Sequence, residues 1–399
     1  MVKIAILGFG VVGSGTVEVL TENKKIIEER LGCEYSIKYI LDLRDFPESP
    51  FGDLVVHDFN VILNDPEVTI VAEMMGGSHP AYEFSKASLE AGKSVVTSNK
   101  EVVSNFGVEL CSIAEKHGVR YLFEASVGGG IPVIRPMLND LASNKITKIY
   151  GILNGTTNYI LTKMRDENAA FADALKEAQR LGYAEANPSA DVDGIDAARK
   201  IVILAALASG KLISPKSIHT EGISSISLLD TEMAEKFNCS IKLIGQAHIT
   251  PDGLLALVSP CMVSKTNPLS RIDDVFNGIL IDANMVGEVM FYGPGAGKLP
   301  TASAVVADII DVIAHRDSEL KVISWKDATA DDLGDFDSFS SSRVIISTKP
   351  IEFSDDVVVK QQVKSETAYG YMVCGLTEAA ANNIKLENKD SILSVFRVI

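Results

Sequence analysis

The densest group of chemically active side chains lies between Gly182 and Lys200, in the run GYAEANPSADVDGIDAARK. Asp196 and Lys200 are four residues apart at the start of a predicted helix, so both lie on one helix face. An apolar run follows Lys200, which predicts that the helix is mostly buried, and buried charges must be paired. An ordinary salt bridge explains the pair alone, but Glu185 adds a third charge nearby. A lysine in a partly dry pocket can exchange protons near neutral pH, and carboxylates can hold an ammonium. The cluster suits an amino-acid substrate that carries an alcohol or an aldehyde.

Two other polar segments accompany this cluster. The run Asn154-Gly155-Thr156-Thr157-Asn158 follows a predicted strand and opens a helix, so it forms either a helix cap or the floor of a pocket. Asp191-Val192-Asp193-Gly194 is similar to part of a calcium loop. It lacks the later bidentate glutamate at the required spacing, so we do not expect calcium there.

A glycine-rich turn near the amino terminus has the pattern of a dinucleotide site. The residues Gly8-Phe9-Gly10-Val11-Val12-Gly13 form a GxGxxG motif between a predicted strand and a predicted helix. In that context the glycines allow a tight turn, close approach of a pyrophosphate and close helix–strand packing. At the end of the second strand, Asp42 suits the ribose 2′-hydroxyl of NAD and Arg44 suits the 2′-phosphate of NADP. Both are present, and both also fit as solvated charges, so the choice of nucleotide stays open.

Three later loops follow predicted strands. Thr97, Ser98 and Lys100 come just past the fourth strand, where ligands of doubly wound sheets bind, although a surface lysine is the simpler alternative. The loop 124–132 holds three consecutive glycines, which either turn carbonyls towards a monovalent cation or form a hinge; the residues alone favour the hinge. A second glycine loop, 293–297, either covers a nicotinamide ring or crosses between domains.

The elements that position these loops alternate regularly. Apolar strands are predicted at 2–7, 36–43, 68–74, 94–97 and 120–125, with helices at about 16–30, 80–91 and 108–117. This alternation predicts an α/β fold with a doubly wound parallel (Rossmann) sheet. We expect three regions: a dinucleotide-binding domain over 1–134 with a return helix over about 299–320, an α+β substrate-binding and dimerisation domain over 135–298, and a small C-terminal α+β module over 343–399.

Composition excludes several classes of protein. The 399 residues are 46% hydrophobic and 23% charged, which excludes a disordered or fibrous chain. A net charge of −16 argues against nucleic-acid binding. Five scattered cysteines and six scattered histidines form no zinc motif, and they predict reduced thiols in the cytoplasm. We expect neither a signal peptide nor a membrane span.

The chain resembles the homoserine dehydrogenase family. The main match is the long segment Ala178-x3-Gly182-Tyr183-Ala184-x2-Asn187-Pro188-x2-Asp191-Val192-x-Gly194-x-Asp196-x3-Lys200. Further matches are GFGVVG at the start, EMMGG near residue 75, TSNK, EASVGGGIP, NGTTNYI and YGPGAGKLPTASAV, so that the resemblance spans about residues 1–320.

The resemblance implies reversible oxidation of L-homoserine to L-aspartate 4-semialdehyde with NAD or NADP, within threonine, methionine and isoleucine biosynthesis. It implies that Lys200 is the acid–base group and that Lys100 contacts cofactor or substrate. The substrate-binding residues expected from it are Gly182, Tyr183, Glu185, Asp191, Asp196, Asn154 and Thr156. The cofactor-binding residues are Gly8, Phe9, Gly10, Val11, Val12, Gly13, Asp42, Arg44, Thr97, Ser98, Lys100, Gly295 and Gly297. A sodium ion would be held by Glu124 and by carbonyls around Val127, Gly129 and Ile131. Members of the family are dimers or tetramers.

The carboxy-terminal region departs from the family pattern. Many members end in a regulatory ACT domain with a DxPGxL turn, whereas Ser347–Ile351 has a proline but no such turn. The tail is therefore expected to be a degenerate ACT-like module or another small module, and no effector follows from it. Two alternative functions are another NAD(P)-dependent amino-acid or hydroxy-acid dehydrogenase and a nucleotide sensor without catalysis.

Overall fold

The computed structural model describes residues 1–318, 323–355 and 357–399. The chain divides into two compact units, each assembled from separate stretches of sequence. Unit 1 contains residues 1–145, 202–215 and 293–327, and unit 2 contains residues 146–201, 216–292 and 328–399.

The strands of unit 1 are shorter than most strands of unit 2. In chain order they are β1 (Val2–Leu7), β2 (Tyr35–Leu41), β3 (Val55–Val56), β4 (Val68–Glu73), β5 (Ser94–Thr97), β6 (Tyr121–Leu122), β7 (Ile146–Ile152), β8 (Lys211–Leu212), β9 (His219–Thr220), β10 (Cys239–Thr250), β11 (Gly253–Ser264), β12 (Phe276–Ala283), β13 (Gly287–Pro294), β14 (Lys326–Asp327), β15 (Ser340–Ser347), β16 (Val358–Lys364), β17 (Tyr369–Thr377) and β18 (Ile392–Val398).

The helices connect these strands. They are α1 (Val11–Glu22), α2 (Lys24–Leu31), α3 (Phe59–Leu63), α4 (Ala81–Glu90), α5 (Lys100–His117), α6 (Ile134–Leu138), α7 (Gly155–Asp166), α8 (Phe171–Arg180), α9 (Ser189–Val192), α10 (Ile195–Ser209), α11 (Leu228–Lys236), α12 (Lys298–Ala314) and α13 (Glu378–Glu387). Among the described residues, no helix combines the length and the hydropathy needed to cross a bilayer.

Unit 1 is built on a six-stranded sheet in the order β3-β2-β1-β4-β5-β6, and the paired strands are parallel. This is the strand order of a doubly wound dinucleotide-binding sheet, which confirms the predicted fold class. The interior residues of β1 and β4 are almost wholly apolar, as buried parallel strands require. Helix α12 packs on α1 within this unit. It covers most of the predicted return helix, whose last two residues, 319 and 320, lie outside the described residues.

Two helices of unit 1 differ from their predicted bounds. The first begins at Val11, directly after the glycine turn, and is interrupted at Asn23. Helix α5 begins at Lys100 and not at 108, and Gly107 lies inside it. A Cβ at Gly107 would lie 2.8 Å from the Trp325 ring, so the glycine admits a close approach and does not end the helix. Lys100 is consequently the first residue of a helix and not part of a loop.

Unit 2 is built on a ten-stranded sheet, most of whose strands are antiparallel. The central pair β10 and β11 runs for twelve residues each, and both strands are buried almost throughout. The residues 343–399 belong to this sheet, because β18 pairs with β11 at Cys261 and Met262. The predicted C-terminal module therefore has no separate sheet.

The strands of this C-terminal part follow the order β18-β15-β17-β16. Helix α13 connects β17 to β18, and the four strands have the order found in ferredoxin-like modules. Such a module has a helix between its first two strands, but the described part of 348–357, between β15 and β16, forms none. The boundary at 134–135 also differs from the observed units, since residues 135–145 and 202–215 lie in unit 1. The alternation of predicted strands and helices does not show where the chain passes from one unit to the other, because the passage can fall within a helix, as it does in α10.

Candidate active site

Lys200 lies in the second turn of α10, with 8% of its surface exposed. Its Nζ donates to Asp196 Oδ2 at 2.7 Å and to the carbonyl oxygen of Leu153 at 2.7 Å. The predicted pairing one helical turn apart is therefore present, and it is buried on a helix that continues into the core. Each of the two buried charges therefore has a partner, as burial of a charge requires.

Asn154 connects this pair to the loop before α10. Its Nδ2 donates to Asp196 Oδ2 at 2.9 Å and to Asp191 Oδ1 at 2.7 Å. Its Oδ1 accepts from the Thr157 amide at 2.9 Å and caps α7. The same side chain is thus both a helix cap and a member of the polar cluster, so the two readings of this segment are compatible. Four predicted residues come together here, namely Lys200, Asp196, Asn154 and Asp191.

The remaining predicted substrate-binding residues lie around this cluster. Thr156 donates its hydroxyl to the carbonyl of Tyr183 at 2.6 Å, and the Tyr183 side chain is exposed. Gly182 adopts φ +79 after α8, where only glycine turns the chain without strain. Glu185 is exposed, and its backbone carbonyl accepts from the Gln179 side chain at 3.1 Å.

Sequence reasoning missed two backbone contributions to this cluster. One is the Leu153 carbonyl, which accepts from Lys200 and has no signature in residue type. The other is Gly222, where a Cβ would lie 2.3 Å from the Val192 carbonyl oxygen. The Ile223 amide donates to that same oxygen at 2.8 Å. Because Val192 follows Asp191 directly, this contact fixes the short helix α9 that carries the carboxylate.

The glycine turn of unit 1 has the geometry that its sequence predicts. Gly8 adopts φ +90, and α1 begins one residue after Gly10. A Cβ at Gly13 would lie 1.9 Å from the Gly8 carbonyl oxygen, whereas a Cβ at Gly10 would meet nothing within 4 Å. Gly13 therefore serves the packing of helix on turn, and Gly10 leaves open space where a phosphate can approach. Phe9 is buried, and Val11 and Val12 begin the helix.

A cavity of about 480 Å³ lies beside this turn. Asp42 lines it and accepts from the Phe9 amide at 2.9 Å, while Arg44 pairs with both Asp42 oxygens at 3.0 Å. The Arg44 hydrogen bond is the main reason why the pKa of Asp42 falls to about 2, so Asp42 is ionised. His57 also lines the cavity, and its pKa is raised mainly by its hydrogen bond to the Asp42 carbonyl. Arg44 remains 64% exposed, so its guanidinium is accessible to an anion.

The end of β5 and the start of α5 bring Thr97, Ser98 and Lys100 to the carboxyl edge of the parallel sheet. Thr97 is the last residue of β5, and Asn99 caps α5 by accepting from the Val102 amide at 3.2 Å. Lys100 then begins the helix. This is the edge at which doubly wound sheets bind their ligands.

The two later glycine loops lie against each other within unit 1. A Cβ at Gly129 would lie 2.4 Å from the Gly295 carbonyl oxygen, and the Gly130 amide donates to Pro294 at 3.1 Å. Gly297 adopts φ +119 and precedes α12. The loop 124–132 therefore packs against the loop that precedes α12 through backbone contacts that side chains would prevent.

Glu124 is a buried carboxylate at the start of this glycine loop. It accepts from the amides of Val133 and Ile134 on Oε1, at 2.7 and 2.8 Å, and from the Arg135 amide on Oε2 at 2.8 Å. The Glu124 carboxylate therefore stabilises the amino-terminal end of α6. In the described part of the chain, no backbone amide donates to the carbonyls of Val127, Gly129 and Ile131.

The parallel sheet, its glycine turn and the buried lysine–carboxylate cluster define an NAD(P)-dependent oxidoreductase that acts on CH–OH groups. Two family profiles match the chain: "Homoserine dehydrogenase, NAD binding domain" over residues 8–124 and "Homoserine dehydrogenase" over residues 132–310. The chain belongs to the homoserine dehydrogenase family, as the resemblance in sequence predicted.

Individual relatives agree with the profiles. The homoserine dehydrogenase of Synechocystis is 44% identical over 322 residues, which are 78% of this chain and 73% of that protein. The crystal structure of a Thiobacillus denitrificans homoserine dehydrogenase superposes with a TM-score of 0.92 at 33% identity, covering 100% of this chain and 98% of that one. A hyperthermophilic archaeal homoserine dehydrogenase in complex with NADPH has a TM-score of 0.67 at 30% identity, covering 78% of this chain and 97% of that one. The alternatives of another dehydrogenase class or a sensor without catalysis are not favoured.

Proposed function

We propose that this protein interconverts L-homoserine and L-aspartate 4-semialdehyde, with Lys200 as the acid–base group on the substrate oxygen. The observation that carries the proposal is the buried Lys200 ammonium, held at 2.7 Å by Asp196 and by the Leu153 carbonyl. The dinucleotide, when bound, supplies or accepts the hydride. The chain itself must then give a proton to the oxygen during reduction and take it back during oxidation.

The same cluster offers groups for binding the amino acid. Glu185, Asp191 and Asp196 are carboxylates that attract a substrate ammonium, and the amide of Asn154 keeps the two aspartates oriented. Thr156, Gly182 and Tyr183 then form the neighbouring wall of the substrate site. In unit 1, Lys100 contacts the cofactor or the substrate from the start of α5.

A direct spectrophotometric assay of the purified protein tests the substrate assignment. Homoserine should be oxidised with NAD or NADP, whereas serine, malate and saccharopine should give no comparable absorbance of reduced cofactor. Turnover of one of those three in place of homoserine would reassign the protein to another dehydrogenase class.

The rate of homoserine oxidation should rise with pH. Oxidation needs the neutral Lys200 amine to accept the hydroxyl proton, and the neutral fraction grows about tenfold per pH unit while the ammonium predominates. The measurement is kcat for homoserine between pH 7 and pH 10 with saturating nucleotide. A flat profile over that range would contradict the role of Lys200.

We propose that both nucleotides are accepted and that Arg44 carries the use of NADP. Its exposed guanidinium is placed to pair with a 2′-phosphate, and the neighbouring His57, whose pKa is raised, lines the same cavity. Arg44→Ala should lower kcat/KM for NADP about tenfold or more and change that for NAD much less. Lys38→Ala is the matched control, because it removes a charge paired with Asp65 and Glu67 and Lys38 does not line the cavity. Equal losses with both nucleotides would show that Arg44 only supports the fold.

We also propose a sodium site formed by Glu124 and the carbonyls of Val127, Gly129 and Ile131. The set is made of oxygen ligands, and the three carbonyls accept no described backbone hydrogen bond, which suits a hard monovalent cation. Sodium chloride should raise the melting temperature above that in choline chloride of equal ionic strength. Glu124→Gln should remove this difference, and an unchanged difference would rule out the ligand set.

Assembly and cellular setting complete the proposal. We propose a homodimer or homotetramer in the cytoplasm that serves threonine, methionine and isoleucine biosynthesis. The family membership of the chain supports the pathway, and cysteines without disulfides in the described residues are compatible with a reducing compartment.

A further inference from the structure

Glu73 is a buried carboxylate at the carboxyl edge of the parallel sheet. It is the last residue of β4 in unit 1 and its exposed fraction is zero. Its described hydrogen-bond partners are neutral groups, so the carboxylate is not part of an ion pair that would explain its burial. A buried charge without a cation is costly, and its presence therefore needs a reason.

Two hydrogen bonds connect this carboxylate to the two loops beside it. The Met75 amide donates to Oε1 at 2.7 Å, and the Thr97 hydroxyl donates to Oε2 at 2.6 Å. Met75 belongs to the loop after β4 and lines the cavity beside the glycine turn. Thr97 ends β5, the strand paired with β4. One side chain thus joins both loops at the ligand-binding edge of the sheet.

A short series of contacts leads from Glu73 to Lys100. Thr97 Oγ1 accepts from the Asn99 amide at 2.9 Å. The Asn99 side chain donates to the Gly77 carbonyl at 2.8 Å and accepts from the Val102 amide at 3.2 Å. Asn99 is the cap of α5, and Lys100 is its first residue. The orientation of Glu73 therefore fixes the Thr97 hydroxyl, and through that hydroxyl it fixes Asn99 and the first turn of α5.

We propose that Glu73 is the positioning residue for Lys100 and for the loop after β4, and that it acts through Thr97 and Asn99. The inference rests on the proposed role of Lys100 at the cofactor or substrate. A carboxylate is required because it accepts from an amide and from a hydroxyl at once. A glutamine at this place offers one acceptor and one donor, so one of the two donors loses its partner.

The protonation state of Glu73 should change the rate of the reaction, whereas a purely structural residue would leave the pH dependence of the rate unchanged. Burial raises its pKa to about 7, against the hydrogen bonds from Thr97, Met75 and Asn99. The neighbouring Cys111 and Tyr121 are also buried, and burial raises the pKa of each above its usual value, so both stay neutral in this range. Reduction of aspartate 4-semialdehyde should therefore slow as the pH falls through about 7, because protonated Glu73 accepts less well.

The first experiment is a double-mutant cycle with Lys100. Glu73→Gln should lower kcat/KM for aspartate 4-semialdehyde about tenfold and remove the pH limb near 7. In the Lys100→Ala background the same change should cause almost no further loss, because Glu73 acts through that lysine. An equal loss in both backgrounds, or a pH limb that persists in Glu73→Gln, would overturn the proposal.

A second pair of variants keeps the test independent of folding. Thr97→Ser retains the hydroxyl and should retain much more activity than Thr97→Val, which has the same shape without it. Glu109→Gln removes an exposed carboxylate from the middle of α5 and should behave as wild type. Equal activity of the two Thr97 variants would exclude the route through the hydroxyl. If wild-type protein fails to turn over homoserine, the proposed function fails, whereas normal wild-type turnover with additive variants rejects only the role of Glu73.

Discussion

Lys200→Ala should lower kcat about a thousandfold in both directions of the reaction, which is the size of a general acid–base contribution. The alanine leaves no group at that place to give or take the proton of the substrate oxygen. It also removes the partner of Asp196 in a buried pair, and this costs stability as well as activity. The two effects must therefore be separated.

Lys200→Arg separates them, because arginine keeps the positive charge beside Asp196 but does not release its proton near neutral pH. We expect a melting temperature close to that of wild type together with the same thousandfold loss of kcat. Lys163→Ala, at an exposed pair with Glu167 on α7, is the control for loss of a lysine. Cofactor affinity, measured by fluorescence of the reduced nucleotide, should be unchanged in all three variants. An active Lys200→Arg enzyme would show that the charge is needed and not the proton transfer.

The sequence was most informative where local rules and chemistry coincide. The glycine turn and the Asp196–Lys200 pair depend on residues close in sequence and are present as predicted, and so is the alternation of strands and helices along the parallel sheet of unit 1, except for the unpredicted β3 and α3. The pair is readable because a spacing of four places two side chains on one helix face. The turn is readable because the positive φ of Gly8 and the close contact at Gly13 both favour glycine, and the third glycine leaves space for a phosphate.

The sequence was least informative where the backbone or a distant segment decides. The Leu153 carbonyl next to Lys200 has no residue signature, and the contact of Gly222 with Val192 joins segments thirty residues apart in sequence. Helix α5 extends through Gly107, where the Trp325 ring leaves no room for a side chain, and residue type does not show that distant contact. Sequence alone assigns no role to Glu73, because the type of an acidic residue at the end of a strand does not show whether it is buried. Its burial depends on how neighbouring strands cover it, which periodicity does not report.

Gly13→Ala should weaken dinucleotide binding by at least about a hundredfold, a loss of about 2.7 kcal/mol in binding free energy. A Cβ at this position would lie 1.9 Å from the Gly8 carbonyl oxygen, so α1 must move away from the turn. Overpacking of this kind usually costs about 1–3 kcal/mol of stability. We therefore expect a lower melting temperature together with weaker binding, measured by titration of reduced nucleotide.

Gly10→Ala is the matched variant in the same turn. Gly10 has φ −78 and its Cβ would meet no atom within 4 Å, so alanine fits the protein without strain. The new methyl group stands instead in the space left for the pyrophosphate. Binding should weaken while the melting temperature stays that of wild type.

Gly32→Ala, at φ +64 after α2, should show the reverse pattern, with lower stability and normal binding. These three glycine variants together distinguish packing of the turn, access to the phosphate and backbone strain. If Gly13→Ala binds as wild type, the motif is only a structural turn. If Gly10→Ala lowers the melting temperature as much as Gly13→Ala, the open space at Gly10 is not kept for a ligand.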